Sequence, residues 1–202
     1  MDVLVWTVIA FVAGSIPFSV LIGRYALKKD IRRYGDHNPG ATNVIRAGGW
    51  RWGALAIMAD FLKGALPVGL AWFAAGIDDA RIVPVAVAPV AGHAFSPWLG
   101  FRGGKAVAAT FGIWAGLTLG EGPILMGLLL LIGFNLFEVD AWAVMFMLGG
   151  LGAHLLLNHP DPALLGTWAG NVAITGWKHR TGLTQSPGMK PWLRQRLVRS
   201  ET

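Results

Sequence analysis

Seven apolar stretches recur along the chain, at roughly 3–23, 53–76, 82–100, 106–120, 123–137, 141–157 and 161–177, with the charged residues gathered between them. Runs of this length without polar alternation predict helices, and a helix that crosses a bilayer needs about 20 apolar residues. The first three runs meet that length. The last four hold only 15 to 17 residues, which predicts short helices, helices that extend into their flanks, or a locally thinned bilayer. The Gly120-Glu121-Gly122-Pro123 turn also allows the runs on either side of it to form a re-entrant pair, which would remove two crossings. Asp2 precedes the first run where a signal peptide would carry bases, so that run is expected to stay as a helix. Within it, Gly14-Ser15-Ile16-Pro17 predicts a kink with close helix packing, Ser15 taking up a carbonyl freed by the proline.

Composition supports a membrane protein. The 202 residues are 54% hydrophobic and 14% charged, against roughly 25% charged in a soluble domain. The 28 glycines and ten tryptophans suit packed membrane helices with interfacial anchors, among them Trp6, Trp98, Trp142 and Trp177. With no cysteine, a disulfide scaffold and a thiolate metal site are excluded. The expectation is one all-α polytopic membrane domain over 1–202, with about seven transmembrane helices.

Charge placement sets the expected orientation. Segment 24–52 carries seven bases against two acids, Arg102 and Lys105 lie in a later connection, and 178–202 carries six bases; together these hold 15 of the 17 Lys and Arg residues. They are alternate connections if all seven runs cross, which puts the N-terminus outside and the C-terminus in the cytoplasm. Arg24, Lys28, Lys29, Arg32 and Arg33 then read first as topology signals and contacts to anionic lipids. The expected partners are membrane lipids, with no nucleic acid and no obligate protein partner.

Two of the basic connections also carry chemistry. The first reads Gly35-Asp36-His37-Asn38-Pro39-Gly40-Ala41-Thr42-Asn43-Val44-Ile45-Arg46. Pro39-Gly40 suits a tight turn, and small polar side chains followed by an arginine make a receptor for phosphate. A surface turn with a helix cap at Thr42 or Asn43 explains the same residues. The second reads Arg102-Gly103-Gly104-Lys105-Ala106 and runs into an apolar helix. Its glycines let the backbone approach a ligand, and the helix end and Lys105 both attract an anion. The spacing is not that of a nucleotide-binding P-loop.

Charges inside the runs are costly. Asp60 and Lys63 lie three residues apart on one helix face, as a buried pair that orients the helix or as part of a polar cavity. His93, just before the Gly-Gly-Lys connection, is either a packing partner or a base. His154 and His159 fall toward the other face, where packing or interfacial roles are expected. Neither a metal nor any other cofactor is implied by the ligand spacings.

Taken together, these residues resemble the bacterial acyl-phosphate:glycerol-3-phosphate acyltransferases, small seven-helix enzymes of the cytoplasmic membrane. The resemblance is carried by Gly14-Ser15-Ile16-Pro17, by Asn38-Pro39-Gly40-Ala41-Thr42-Asn43 with Arg46, and by Asp60, Lys63 and Gly64. It continues through Gly92-His93, Phe95, Phe101-Arg102-Gly103-Gly104-Lys105, Val107-Ala108, Gly112 and His179-Arg180. It implies transfer of an acyl group from acyl phosphate to the 1-hydroxyl of glycerol 3-phosphate, giving lysophosphatidic acid and phosphate. Lys105, His179 and His93 would be the catalytic residues. Asn38, Gly40, Thr42, Asn43, Arg46, Gly103, Gly104 and Arg180 would bind substrate. The alternative is a weakened paralogue that binds an anionic lipid or phosphate without transferring the acyl group.

Three motifs depart from the family pattern. Asp36 stands where the family carries a serine, so a carboxylate faces the phosphate site and needs a partner, His37 being one candidate. Ala106 replaces a glycine, and the threonine of that motif is displaced to Thr110. Gly182 stands where the third motif has an asparagine.

Overall fold

The computed structural model describes residues 2–199, with side chains through Gln195. All seven apolar stretches are helical. The first is α1 (Val3–Ser15) followed by α2 (Phe18–Tyr25), the second α4 (Trp50–Gly69) continued by a wider turn at Leu70–Ala74, and the third α5 (Ile82–Ala94). The rest are α6 (Val107–Thr118), α7 (Glu121–Leu136), α8 (Asp140–Asn158) and α9 (Pro162–Leu183). Two further helices lie between or beyond the runs, α3 (Ala41–Gly48) and α10 (Pro191–Arg199). No strand occurs among the described residues beyond one isolated bridge between Phe137 and Met189.

Four segments are long and apolar enough to span a membrane: Val3–Tyr25, Trp50–Ala74, Ile82–Leu99 and Asp140–Asn158. The short helices expected from the later runs are found in α6 and α7, of 12 and 16 residues. The 22-residue α9 has the length, but Asn171, Lys178, His179 and Arg180 dilute its hydropathy. Leucines and phenylalanines point outward around the bundle, including Leu66, Phe73, Leu128 and Leu131. Apolar surface this continuous needs lipid rather than water. The protein is an all-helical membrane protein.

Small residues form the seams that position the site. On the α4–α6 seam, a Cβ at Gly64 would sit 2.6 Å from the Ala109 carbonyl oxygen, and one at Gly112 would strike the Phe61 carbonyl. On the α1–α5 seam, a Cβ at Gly14 would strike Pro89, and one at Gly92 the Phe11 carbonyl. Backbones this close gain dispersion contacts that lipid cannot replace. Behind α6, Asn171 donates to Thr110 at 2.9 Å and Thr175 at 3.1 Å and accepts from the Trp114 indole at 3.1 Å. Both of its N–H groups and its oxygen are thereby engaged among buried residues.

The kink expected in the first helix is a full break. Ser15 Oγ donates to the Val12 carbonyl at 2.7 Å, whereas the Ala13 carbonyl that Pro17 leaves free is taken by the Ile16 backbone N–H at 3.3 Å, not by Ser15 as expected. The chain then leaves the helix for two residues, and the exposed carbonyls of Ser15 and Ile16 are taken by Ser96 Oγ at 2.6 Å and Lys63 Nζ at 2.8 Å. Partners from α4 and from the connection after α5 stabilise an opening that one helix cannot close alone.

Candidate active site

The connection after α2 curls tightly. Asp30 accepts from the Arg32 backbone N–H at 3.0 Å and its guanidinium at 2.9 Å, closing a short 3-10 turn at Ile31–Arg33. Gly35 follows at φ +55°, where a side chain would run into the Arg46 guanidinium. His37 is also left-handed at φ +60°, and its Nδ1–H donates to the Arg32 carbonyl at 2.9 Å. His37 is therefore turned away from Asp36, and the expected pairing of the two is replaced by another.

Lys105 takes that place. Its Nζ donates to Asp36 Oδ2 at 2.8 Å, linking the two glycine-bearing connections across 69 residues of sequence. The other oxygen, Asp36 Oδ1, accepts from Asn43 Nδ2 at 3.0 Å and from the Asn38 backbone at 3.3 Å, with Arg46 Nη1 at 3.9 Å. Asn43 is buried and accepts from Arg46 at 2.9 Å through its Oδ1, so the arginine is aimed by a fixed amide. Burial by itself would raise the Asp36 carboxyl, but the Lys105 ammonium and the Asn38 and Asn43 donors outweigh it and hold it below its ordinary value. Four donors thus surround one carboxylate, in the arrangement that a phosphate would also engage.

The helix α3 starts at Gly40 with no side-chain cap, so neither Thr42 nor Asn43 serves as the cap that the simpler reading required. Thr42 is exposed on the first turn, beside free backbone N–H groups. The far end of α3 is closed by Lys29, whose Nζ donates to the Ala47 carbonyl at 2.7 Å. Lys29 and Arg32, expected at the lipid surface, are thus engaged in holding this turn.

Gly103 and Gly104 pack against α5. A Cβ at Gly103 would strike the His93 carbonyl, and one at Gly104 would strike His93 Nε2. The Gly104 N–H donates to the His93 carbonyl at 3.1 Å. On the opposite side Lys178 Nζ donates to the carbonyls of Ala94 and Gly103 at 3.0 and 2.8 Å, clamping the loop to α9. Nothing local marked Lys178, which looks like one more membrane-flanking base in the sequence. Its neighbour His179 is buried and donates through Nδ1–H to the Thr175 carbonyl at 2.9 Å, which leaves Nε2 as a bare acceptor. Arg180 turns outward, 4.6 Å above the Trp177 ring and bonded to the Trp177 carbonyl, apart from the Asp36 cluster.

Beneath these connections lies a small polar cleft whose walls include Pro39, Asp60, Lys63, His93, Ser96 and Gly104. Asp60 binds Lys63 Nζ at 2.7 Å and Ser19 Oγ at 2.9 Å, with His93 Nδ1 at 3.7 Å. The pair is both a helix-orienting ion pair and a wall of a polar cavity, so the two readings of it coexist. Ser19 carried no signal in the sequence, because a serine in an apolar helix is ordinary.

Fold and site together define a polytopic helical membrane protein in which cations and amides from two glycine-bearing connections gather around one carboxylate. Comparison with known proteins narrows the class. The sequence model of the family described as Glycerol-3-phosphate acyltransferase matches residues 4–185. Glycerol-3-phosphate acyltransferase 1 of Thermotoga maritima is 36% identical over 87% of this chain and 93% of its own length. The glycerol-3-phosphate acyltransferase of Desulfovibrio desulfuricans is 36% identical over 96% of this chain and 86% of its own. Among solved structures, the glycerol 3-phosphate form of PlsY, an integral membrane glycerol 3-phosphate acyltransferase, superposes with a TM-score of 0.83 over 90% of both chains at 28% identity. The lysophosphatidic acid form of the same protein superposes with a TM-score of 0.80. This chain belongs to the glycerol-3-phosphate acyltransferase family, and it is an acyltransferase of phospholipid synthesis that acylates glycerol 3-phosphate.

Proposed function

We propose that the acyl donor is an acyl phosphate and that the reaction takes place where the two glycine-bearing connections meet. The observation that carries this reading is the convergence of Asn38, Asn43, Arg46 and Lys105 on one carboxylate, because the same donors suit a phosphate. In the resting enzyme Asp36 stands in for that phosphate. A dianionic headgroup competes for Lys105 and Arg46 with more charge and more acceptor oxygens than a carboxylate offers.

The chemistry asks little of the protein beyond placement and charge. Acyl phosphate is already a mixed anhydride. The 1-hydroxyl oxygen of glycerol 3-phosphate attacks the acyl carbon, a tetrahedral oxyanion forms, and the bond to the phosphate oxygen breaks with its electron pair leaving on inorganic phosphate. The hydroxyl proton passes to His179 Nε2 or to a departing phosphate oxygen. Lys105 neutralises the leaving group, Gly103 and Gly104 let it approach the loop closely, and Thr42 and the α3 N-terminus receive the second phosphate. His93 fixes the path of the glycine loop at Gly104. Arg180 is assigned to drawing anionic substrate toward the pocket from outside it.

In the membrane, all seven apolar segments cross as a single domain over 1–202, with the N-terminus outside. The pocket then faces the cytoplasm, in a bacterial inner membrane. The bases at 24–52, 102–105 and 178–202 support that orientation. Incubating the purified protein with palmitoyl phosphate and glycerol 3-phosphate tests the reading. Lysophosphatidic acid and inorganic phosphate are expected in equal amounts. Acylation from acyl-CoA or acyl carrier protein alone, with none from acyl phosphate, would overturn the donor assignment.

A further inference from the structure

The far end of α6 lies twelve helical residues from Lys105, about 18 Å at 1.5 Å per residue. There the start of α7 meets the end of α8. Glu121 opens α7, His154 lies in the last turns of α8, and His159 follows that helix as its C-terminal cap. His154 Nε2 stands 2.8 Å and His159 Nε2 3.0 Å from the same oxygen, Glu121 Oε1. One ligand atom from each residue lies within 4.8 Å of the other two. The glutamate and the two histidines are 49%, 27% and 46% exposed, so the cluster is open to solutes.

Sequence spacing hides this group. Residues five apart on a continuous helix point about 140° away from each other. The helix ends at Asn158, however, and His159 at φ −140° and ψ 66° swings its ring back, bringing the two ring centroids to 5.5 Å. The acyl-transfer chemistry uses none of these three residues.

We propose that Glu121, His154 and His159 form a binding site for a divalent transition metal, zinc being the best match, which pins the start of α7 to the α8–α9 elbow. Two imidazoles and a carboxylate are ordinary zinc donors, with bonds of about 2.0–2.2 Å and tetrahedral geometry. Those bond lengths put neighbouring ligand atoms about 3.3–3.5 Å apart, so each ring nitrogen need draw back from the glutamate oxygen by only a fraction of an ångström, and the two nitrogens already lie within 4.8 Å of each other. As the structure stands, both Nε2–H groups donate to the glutamate. On binding metal each proton moves to Nδ1, leaving an Nε2 lone pair for the ion with no net proton release. Asn158 Nδ2 lies 3.2 Å from His154 Nδ1. Rotating that amide presents Oδ1 to the new Nδ1–H, the supporting hydrogen bond that a ligating histidine needs. Water completes the coordination.

The test uses full-length protein purified without a polyhistidine tag, stripped with chelator, and titrated with zinc chloride alone. One zinc per chain is expected, saturable, with a raised unfolding midpoint. Cobalt(II) as a spectroscopic stand-in should report nitrogen and oxygen ligands. His159→Gln, at a half-exposed position, should weaken zinc binding by at least about tenfold, and Asn158→Leu by roughly 10–100-fold. His37→Gln should leave zinc binding unchanged, and His159→Gln should leave acyl transfer unchanged. Absence of saturable zinc uptake overturns the proposal. So does equal uptake by His159→Gln, or by a His154→Gln/His159→Gln double variant that elutes as the folded protein does.

Discussion

Among the described residues two Asp–Lys ion pairs have nearly the same length and opposite character. Asp60–Lys63, 2.7 Å apart within α4, is only 2% and 3% exposed; Asp36–Lys105, 2.8 Å apart across two loops, is 45% and 40% exposed. The buried pair is local in sequence and tied into the Ser15–Pro17 break through the Ile16 carbonyl. The outer pair joins segments far apart in sequence, and solvent screens it to a worth of about 1 kcal/mol or less. A buried pair resists exchange because either partner alone would be an uncompensated charge in a low dielectric. An exposed pair gives way readily to a better anion. The same chemistry therefore serves as a rivet in one place and as an exchangeable latch in the other.

The sharpest way to break this comparison is to remove one member of the buried pair. Lys63→Met should cost about 3–5 kcal/mol, because Asp60 is left charged and buried. Asp60→Asn/Lys63→Met should recover most of that loss, short of the bonds to Ile16 and Ser19. Thermal unfolding in detergent, followed by size exclusion, measures both. Equal damage from the single and double variants would mean that packing, not charge, sets the role of the pair.

Next in size is Lys105→Ala. Removing a preorganised cation from developing negative charge costs roughly 10²–10³-fold in kcat, while stability should move little, since the lost pair is half-exposed. The rate of phosphate release from palmitoyl phosphate reads the first effect and thermal unfolding the second. A Lys105→Ala protein that unfolds early yet keeps its rate would reverse the assigned roles of the two pairs.

Asp36→Ser should act in the other direction. Deleting the resident carboxylate removes a competitor for Lys105 and Arg46, and the expected change is a fall in KM for the phosphorylated substrates of about tenfold, or ~1.4 kcal/mol. The pH behaviour follows from the sign of the shift. The Asp36 carboxyl titrates below its ordinary value, so its contribution to stability is complete above the unfolded value of about 3.9 and fades only as pH falls through the lower, folded one. Between pH 8 and 5.5 it stays ionised, and wild type should show no relief of KM on mild acidification. A KM that drops over that range in wild type but not in Asp36→Ser would contradict this.

What the sequence revealed and what it hid divide along the same line. The apolar runs announced the helices that carry them, including the four long and apolar enough to cross a membrane, because burial in lipid demands long uninterrupted hydropathy. The motif residues Asn43, Arg46 and Lys105 were visible as cations and amides beside turn-forming glycines, and they do converge. The partners that hold them were not visible. Lys178 clamps Gly103 through a contact 75 residues away in sequence, and Ser19 reaches Asp60 across 41. No local pattern encodes such distances. The eight-residue α3 begins after Gly40 with no cap from Thr42 or Asn43, and nothing in the local pattern marks the helix end that turns the ring of His159 back toward His154.

Ala106 gives the smallest and most discriminating test of the latch. It follows Lys105 at φ +61°, fully packed, at the first residue before α6. A left-handed alanine costs roughly 1–2 kcal/mol, whereas glycine adopts that conformation freely but loses about 0.5–1 kcal/mol more chain entropy on folding. Ala106→Gly should therefore stabilise the protein by something under about 1 kcal/mol. Because the strain sits next to the cation, its release should also let Lys105 follow a phosphate more easily, which predicts a modest rise in kcat with little change in KM. Combined with Asp36→Ser, the two effects should multiply if one substitution relaxes the loop and the other removes the competing anion. If the double variant gains no more than the better single one, strain and competition are the same barrier seen from two sides, and the latch is a single coupled element.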